Sequence, residues 1–421
     1  MVRIKAVKAR EILDSRGSPT IETTIWSDAG QATIASVPSG VSTGKYEALE
    51  LRDNDPNRYQ GQGVLKAVGN VNTIIAPKVV GMDPLYQTKL DKVLIDLDGT
   101  KNKTNLGANA ILSVSQAVCE LGALVVGWPL YRYIAAKYGF INLSPSNLPT
   151  PIFNLINGGK HGAGDKLDFQ EFHLIPSSRQ SLSEAIRTGE TVYQALKNSL
   201  KKRNAVYAVG DEGGFAPNLF SNTDALELMF EAINQTKLTV ERDVFIGLDT
   251  ASNSFFSQGK YVIKDRPEPL SGDDMTNFFK ELKKEYHLFE LEDPLHEDDF
   301  AGWAKLTAEL GKDTMIVGDD LLVTNKERLN KAIQLKACNS ILVKPNQIGT
   351  ISETVEVIQI AKAAKFSIIV SHRSGETDDD FIADFAVGMG ADYTKFGGPA
   401  RGERIAKYNR LTAIEADLLG K

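Results

Sequence analysis

Four runs decide the fold: VFIGLD (244–249), HLFELED (287–293), TMIVGDD (314–320) and SILVK (340–344). Each is short and apolar and closes on a charge, at Asp249, Glu292, Asp319 and Lys344 in turn. Two more follow: FSIIVSHRS (366–374) closes on His372, Arg373 and Ser374, and YTKFG (393–397) carries Lys395. Short apolar runs separated by stretches of helical spacing read as buried parallel strands with crossover helices. In a closed β/α barrel the C-terminal ends of such strands open on one mouth.

One charge at a strand end is usually a strand meeting solvent. Six such ends in succession predict a mouth that sets three carboxylates beside Lys, His-Arg-Ser and Lys. That is a cation site next to cationic and hydroxyl donors, suited to an anionic, metal-bound substrate.

Working outward, TPIFNLING (150–158) and DFQEFHLIP (168–176) supply two further strands, joined by a glycine-rich loop at 158–164. Helical spacing over 182–200 and 223–234 separates them from the six, and eight strands are enough to close a barrel. The segment before the barrel is different. Residues 3–10, 20–27 and 31–37 alternate like a three-stranded meander, after which helices are predicted at 64–80, 84–97, 108–126 and 129–138. Asp83-Pro84 reads as the N-cap and first residue of the second helix. The division is therefore a smaller α+β domain over 1–138, a Pro-rich linker over 139–151, and the barrel over 152–421.

With 421 residues, 42% of them hydrophobic, the chain exceeds one ordinary core. Its 48 basic and 54 acidic residues leave a net charge of -6, no footprint for nucleic acid or an anionic membrane. Cys119 and Cys338 lack partners at metal spacing and read as buried thiols in a reducing, cytoplasmic setting. The N-terminal MVRIKAVKAREILDSRG lacks the apolar core of a signal peptide. The most apolar helix, 111–126, is interrupted by Ser113, Ser115, Gln116 and Glu120 and reads as a core helix.

Taken in order, SVPSGVSTG, NGGKHGAG, DFQEF, VGDEGGFAPN, LEDP, VGDDLLVTN, KPNQIGT and SHRSGETDD resemble the motifs of the enolase family over essentially the whole chain. The resemblance implies a small α+β domain before an eight-stranded barrel whose first strands are not all parallel. It also implies the reversible dehydration of 2-phosphoglycerate to phosphoenolpyruvate with Mg²⁺, by a homodimer or higher homo-oligomer. A lysine or histidine base beside one or two Mg²⁺ is a known pattern of this superfamily.

The chemistry is also readable from residue types. Removing a proton beside a carboxylate builds a doubly charged species that divalent cations must neutralise. Asp249, Glu292 and Asp319 are hard oxygen ligands for one Mg²⁺, with neighbours Asp293 and Asp320 read as surface acids or supports. Lys344 is the expected base, its pKa depressed by the cation and by Lys395, and Lys395 also donates to the substrate carboxylate. Glu171 and Glu212 are expected to share a proton between them. By resemblance Glu212 is the acid for the C3 hydroxide, Glu171 its partner, and Gln170 a substrate contact. Arg373 and Ser374 suit a phosphate, with His372 beside them.

The stretch Gly40 to Lys45 invites a rival reading as a nucleotide phosphate loop. It has one residue too few between its glycines, and Tyr46 stands where Ser or Thr should hold magnesium. By resemblance it is a lid whose Ser42 carries a second Mg²⁺ recruited with substrate, and His161 is its counterpart in the other glycine-rich loop. Four departures from the family pattern stand out: one extra residue between His161 and Glu171, Val41, Pro345 after the base, and Phe396. Another proton abstractor of the same superfamily, or a non-catalytic scaffold, are the alternatives. Arg373 and Ser374 with Lys395 argue against the first, and a scaffold has no need of Lys344 and Glu212.

Overall fold

The computed structural model describes residues 1–40, 44–140, 142–162 and 167–421. The chain opens with an antiparallel meander, β1 (Ile4–Leu13), β2 (Pro19–Ser27) and β3 (Ala32–Ser36), in that spatial order. Period-two alternation gives it one apolar face, where Ile4, Val7, Ala9, Ile21, Ile25 and Ala35 are buried. The helix Ala108–Val126 covers that face. Two polar contacts fix its register, Thr23 Oγ1 with Ser113 Oγ at 2.7 Å and Thr33 Oγ1 donating to the Ala117 carbonyl at 2.9 Å. By length and apolar content this helix could cross a membrane, yet its most apolar window is 78% buried inside the protein, the pattern of a core helix.

Two local expectations are corrected. The helix expected at 64–80 is three pieces, Leu65–Asn70, a π turn at Val71–Ile75 and Ala76–Val79. Pro77 has no amide to donate, and the hydrogen-bond ladder shifts register just before it. The next helix is Gln87–Asp98, with Tyr86 rather than Asp83 at its N-cap. Asp83 Oδ1 instead accepts from the Leu85 amide at 2.9 Å, closing a turn ahead of the helix.

The barrel follows. Its strands are β4 (Thr150–Asn157), β5 (Glu171–Pro176), β6 (Val244–Asp249), β9 (Leu288–Glu292), β10 (Met315–Gly318), β11 (Ser340–Val343), β12 (Ser367–Ser371) and β13 (Tyr393–Lys395). A two-residue hairpin, β7 (Phe256–Ser257) with β8 (Lys260–Tyr261), lies outside it. The ring closes in the order β10-β11-β12-β13-β4-β5-β6-β9. Only β5 runs against the rest, pairing antiparallel with both β4 and β6. That reversal places the first residue of β5 at the mouth: Glu171 is in register with Asp249, the last residue of β6. The opposite end of the interior is plugged by Ile152, Ile175, Met315, Val317, Leu342 and Ile369. Truncating a side chain such as the fully buried Trp303 in the outer core to alanine costs about 3–5 kcal/mol.

Candidate active site

Asp249, Glu292 and Lys395 are the last residues of β6, β9 and β13, while Asp319 and Lys344 come just after β10 and β11. All five are buried or nearly so. The Lys395 ammonium lies 3.2 Å from Asp249 Oδ2, 2.8 Å from Glu292 Oε2 and 3.1 Å from Glu171 Oε2. Burial opposes its charge, but these carboxylates outweigh it and hold its pKa well above the usual lysine range.

Lys344 Nζ donates to Asp319 Oδ2 at 2.5 Å. Burial and the cations Arg373 and Lys395 push its pKa down, but contact with Asp319 leaves it raised. Gln347 Nε2 donates to the other Asp319 oxygen at 3.0 Å, and Thr324 Oγ1 ties the two loops by accepting from the Lys344 amide at 2.9 Å.

Asp293 and Asp320 are closer to the centre than surface acids. Ligating atoms of Asp293, Asp319 and Asp320 lie within 4.8 Å of one another. Asp293 adopts a positive φ of 44°, and its carboxylate accepts from the amides of Asp319 at 3.1 Å and Asp320 at 2.7 Å. It thus braces the end of β10. Burial and then Asp319 push the Asp320 carboxyl up to about 7. Glu292 is pushed well above the carboxylate range by burial and Asp249, and Asp293 by burial and Asp320.

Across the mouth, Glu212 rides on the turn VGDEGG. Gly213 holds φ at +89°, and a Cβ there would stand 2.9 Å from the Ala400 carbonyl, so glycine is required for the turn to dock. The Glu212 carbonyl accepts from the Gly398 amide at 2.7 Å. The side chain receives Ser374 Oγ at 2.7 Å and lies 3.5 Å from His161 Nδ1 and 3.4 Å from His372 Nε2. His161 Nδ1 is also 2.9 Å from Glu171 Oε1.

Burial opposes charging His161, but Glu212 and Glu171 overcome it and raise its pKa to about 10. Both carboxylates stay low: His161 holds Glu212 down and Lys395 holds Glu171 down, against burial. His372 is the reverse case. Burial lowers it, and Arg404 Nη1 donates to its Nδ1 at 2.7 Å, leaving Nε2 to carry the proton.

Arg373 Nη1 donates to Glu47 Oε2 at 2.9 Å and to Asn346 Oδ1 at 3.1 Å. Its neighbour Ser374, expected with it on a phosphate, turns toward Glu212 and His161. Gln170 Nε2 donates to Asp249 Oδ2 at 3.1 Å. Ser42 and Val41 lie outside the described residues, as do positions 163–166 of the longer loop. Tyr46 donates to Asp298 Oδ1 at 2.8 Å. Pro345 opens the turn Pro345–Gln347, and Phe396 is fully buried.

Four residues escaped sequence reading. Glu47 lies a few residues after Gly44 and meets Arg373 only through the fold. Arg404 is wholly buried and grips the carbonyls of Asp211, Arg373 and Ser374 at 2.9, 2.7 and 2.6 Å, clasping two mouth loops together. His173 and Glu290 stand below Glu171 inside the barrel. A faint signal existed for these two: a titratable residue in each of two strands at positions where an apolar one is the rule.

The donor set fits a divalent cation. Asp249, Glu292, Asp293, Asp319 and Asp320 converge, four of them around a small space that Gln170 also lines. Lys344 and Lys395 oppose them, and burial together with the neighbouring carboxylates raises Glu292 and Asp293. A cavity of about 910 Å³ lies elsewhere, between the meander and residues 376–410.

A closed barrel with buried acids, a lysine and an acid–imidazole cluster at its mouth is the frame of a lyase. Two family models match the chain: "Enolase, N-terminal domain" over residues 4–134 and "Enolase, C-terminal TIM barrel domain" over residues 145–421. The chain belongs to the enolase family.

Proposed function

We propose that the protein dehydrates 2-phosphoglycerate reversibly to phosphoenolpyruvate. One observation carries this reading. Lys344 follows β11 and Glu171 opens β5, four places apart in a ring of eight, so base and acid cluster face one another across the mouth. An anti elimination takes its proton to a base on one face of the substrate and sends the leaving group to an acid on the other.

In this reading Lys344, once neutral, takes the proton from C2. Glu212 delivers a proton to the departing C3 hydroxide, drawn from His161, with Glu171 fixing the imidazole. Arg373 supplies a planar fork for the phosphate, exchanging its contacts with Glu47 and Asn346 for phosphate oxygens. Lys395 donates to the substrate carboxylate, and Gln170 and His372 border the same space. Mg²⁺ held by Asp249, Glu292 and Asp319, with a second near Ser42, would neutralise the charge that collects on the substrate carboxylate.

The test is direct. Mixing the protein with 2-phosphoglycerate and Mg²⁺ should raise phosphoenolpyruvate absorbance, and absence of any rise with saturating substrate and metal would sink the reading. We also propose a cytoplasmic homo-oligomer. Leu13, Ile34, Leu124 and Trp128 are 54%, 55%, 47% and 51% exposed beside the large cavity, an apolar face suited to a second copy. Light scattering on the eluting protein should give at least twice the chain mass.

A further inference from the structure

Below the mouth, β5, β6 and β9 bring three residues into one row. His173 is in register with Gly247, and Gly247 with Glu290. Barrel interiors are normally filled at this depth by branched apolar side chains. Here a fully buried imidazole meets a fully buried carboxylate: His173 Nδ1 lies 2.8 Å from Glu290 Oε2, while His173 Nε2 lies 2.9 Å from Glu171 Oε2. Ionised carboxylates accept only, so with both acids ionised each ring nitrogen donates. The space between the two partners is reserved for them. A Cβ at Gly247 would stand 2.0 Å from Glu290 Oε2. Glu290 Oε1 has no hydrogen-bond partner among the described residues, so His173 is the one group seen to compensate its burial by hydrogen bonding.

We propose that Glu290 and His173 form a positioning pair that locks Glu171, and through it His161 and Glu212, into the geometry needed to deliver a proton. The inference rests on the dehydration reading above. Residues 171 and 173 share the inner face of β5 by its period of two. The pair thus grips Glu171 from below, while His161 takes Oε1 from the loop and Lys395 approaches from β13 at 3.1 Å. Lys395 divides its contacts among Glu171, Asp249 and Glu292, whereas His173 is anchored at its far nitrogen by Glu290. Such a buried ionic pair is costly relative to an apolar filling, and holding Glu171 gives it a use.

The test removes both charges together, because deleting one would leave the other buried and unpaired. In the double variant His173→Leu with Glu290→Leu, kcat for dehydration should fall about 10- to 100-fold while KM moves less than about threefold, since misplacing a reacting group slows the proton step without loosening the phosphate contact. Exchange of the C2 hydrogen with heavy water should persist. Glu290→Gln keeps an acceptor for His173 and should retain at least about half of the wild-type kcat. Wild-type kcat in the double variant, a proportional rise in KM, or equal damage from Glu290→Gln would overturn the proposal. If the double variant does not fold, His173→Gln, whose amide reaches one acid only, is read by the same criteria. A crystal structure of the folded variant separates this inference from the choice of substrate: Glu171 should leave His161 Nδ1 whatever reaction the wild type performs, and an unchanged 2.9 Å contact overturns it.

Discussion

The Lys344 ammonium sits 2.5 Å from Asp319 Oδ2, so the proposed base and a proposed metal ligand hold one another. Asp319→Asn removes an anionic ligand and also the partner that keeps Lys344 protonated. Mg²⁺ affinity, measured by calorimetry, should fall at least about tenfold, and turnover should fall with it. Exhaustive chelation of the wild type should abolish phosphoenolpyruvate formation, and added Mg²⁺ should restore it. Full activity after chelation would remove the metal from the reading.

The base and the acid should separate by isotope exchange. Lys344→Ala should lose exchange of the C2 hydrogen with heavy water, because no other described group at the mouth is assigned that proton. Glu212→Gln should keep the exchange and form little phosphoenolpyruvate, since its amide preserves shape but has no proton to deliver. The reverse pattern would show the two faces of the substrate exchanged.

Arg373→Ala should raise KM for 2-phosphoglycerate and lower kcat together, because a misplaced phosphate misaligns the C2 proton. Arg373→Lys should recover only part of either, as an ammonium lacks the planar fork. Steady-state kinetics showing no change in either constant would place Arg373 outside the substrate site.

Stability should fall in acid through Glu376. This buried carboxylate lies 2.9 Å from Lys407 Nζ and accepts from the Arg373 amide at 3.0 Å. Burial pushes its pKa up, but Lys407 and Arg404 prevail and hold it below the ordinary value. A group depressed by folding stabilises fully above its unfolded pKa, about 4.3 for glutamate, and loses that contribution as pH falls through the folded value. The melting temperature should therefore decline below about pH 4.3 more steeply in the wild type than in Glu376→Gln. Parallel curves for the two proteins would contradict this.

Much of the architecture was legible because it is local. Period-two alternation gave β1, β2 and β3, and helical spacing gave Ala108–Val126 to the residue. A charge closing each apolar run marks the mouth. Local rules failed where the backbone had two ways to satisfy its amides: Asp83 closed a turn rather than capping a helix, and Pro77 broke a continuous rod.

The sequence by itself determined which residues can reach the mouth, since strand period and strand end are properties of the chain's own order. Only the tertiary structure decided how they share charge. Glu212 and Glu171 raise the pKa of His161 between them, and Asp319 raises that of Lys344. Glu47 met Arg373 across 326 positions of chain, and Arg404 clasped loops near residues 211 and 373. Charge sharing in a buried site depends on distances of about 3 Å and on the loss of water around them. Barrel closure sets both, and neither leaves a periodic mark in the sequence.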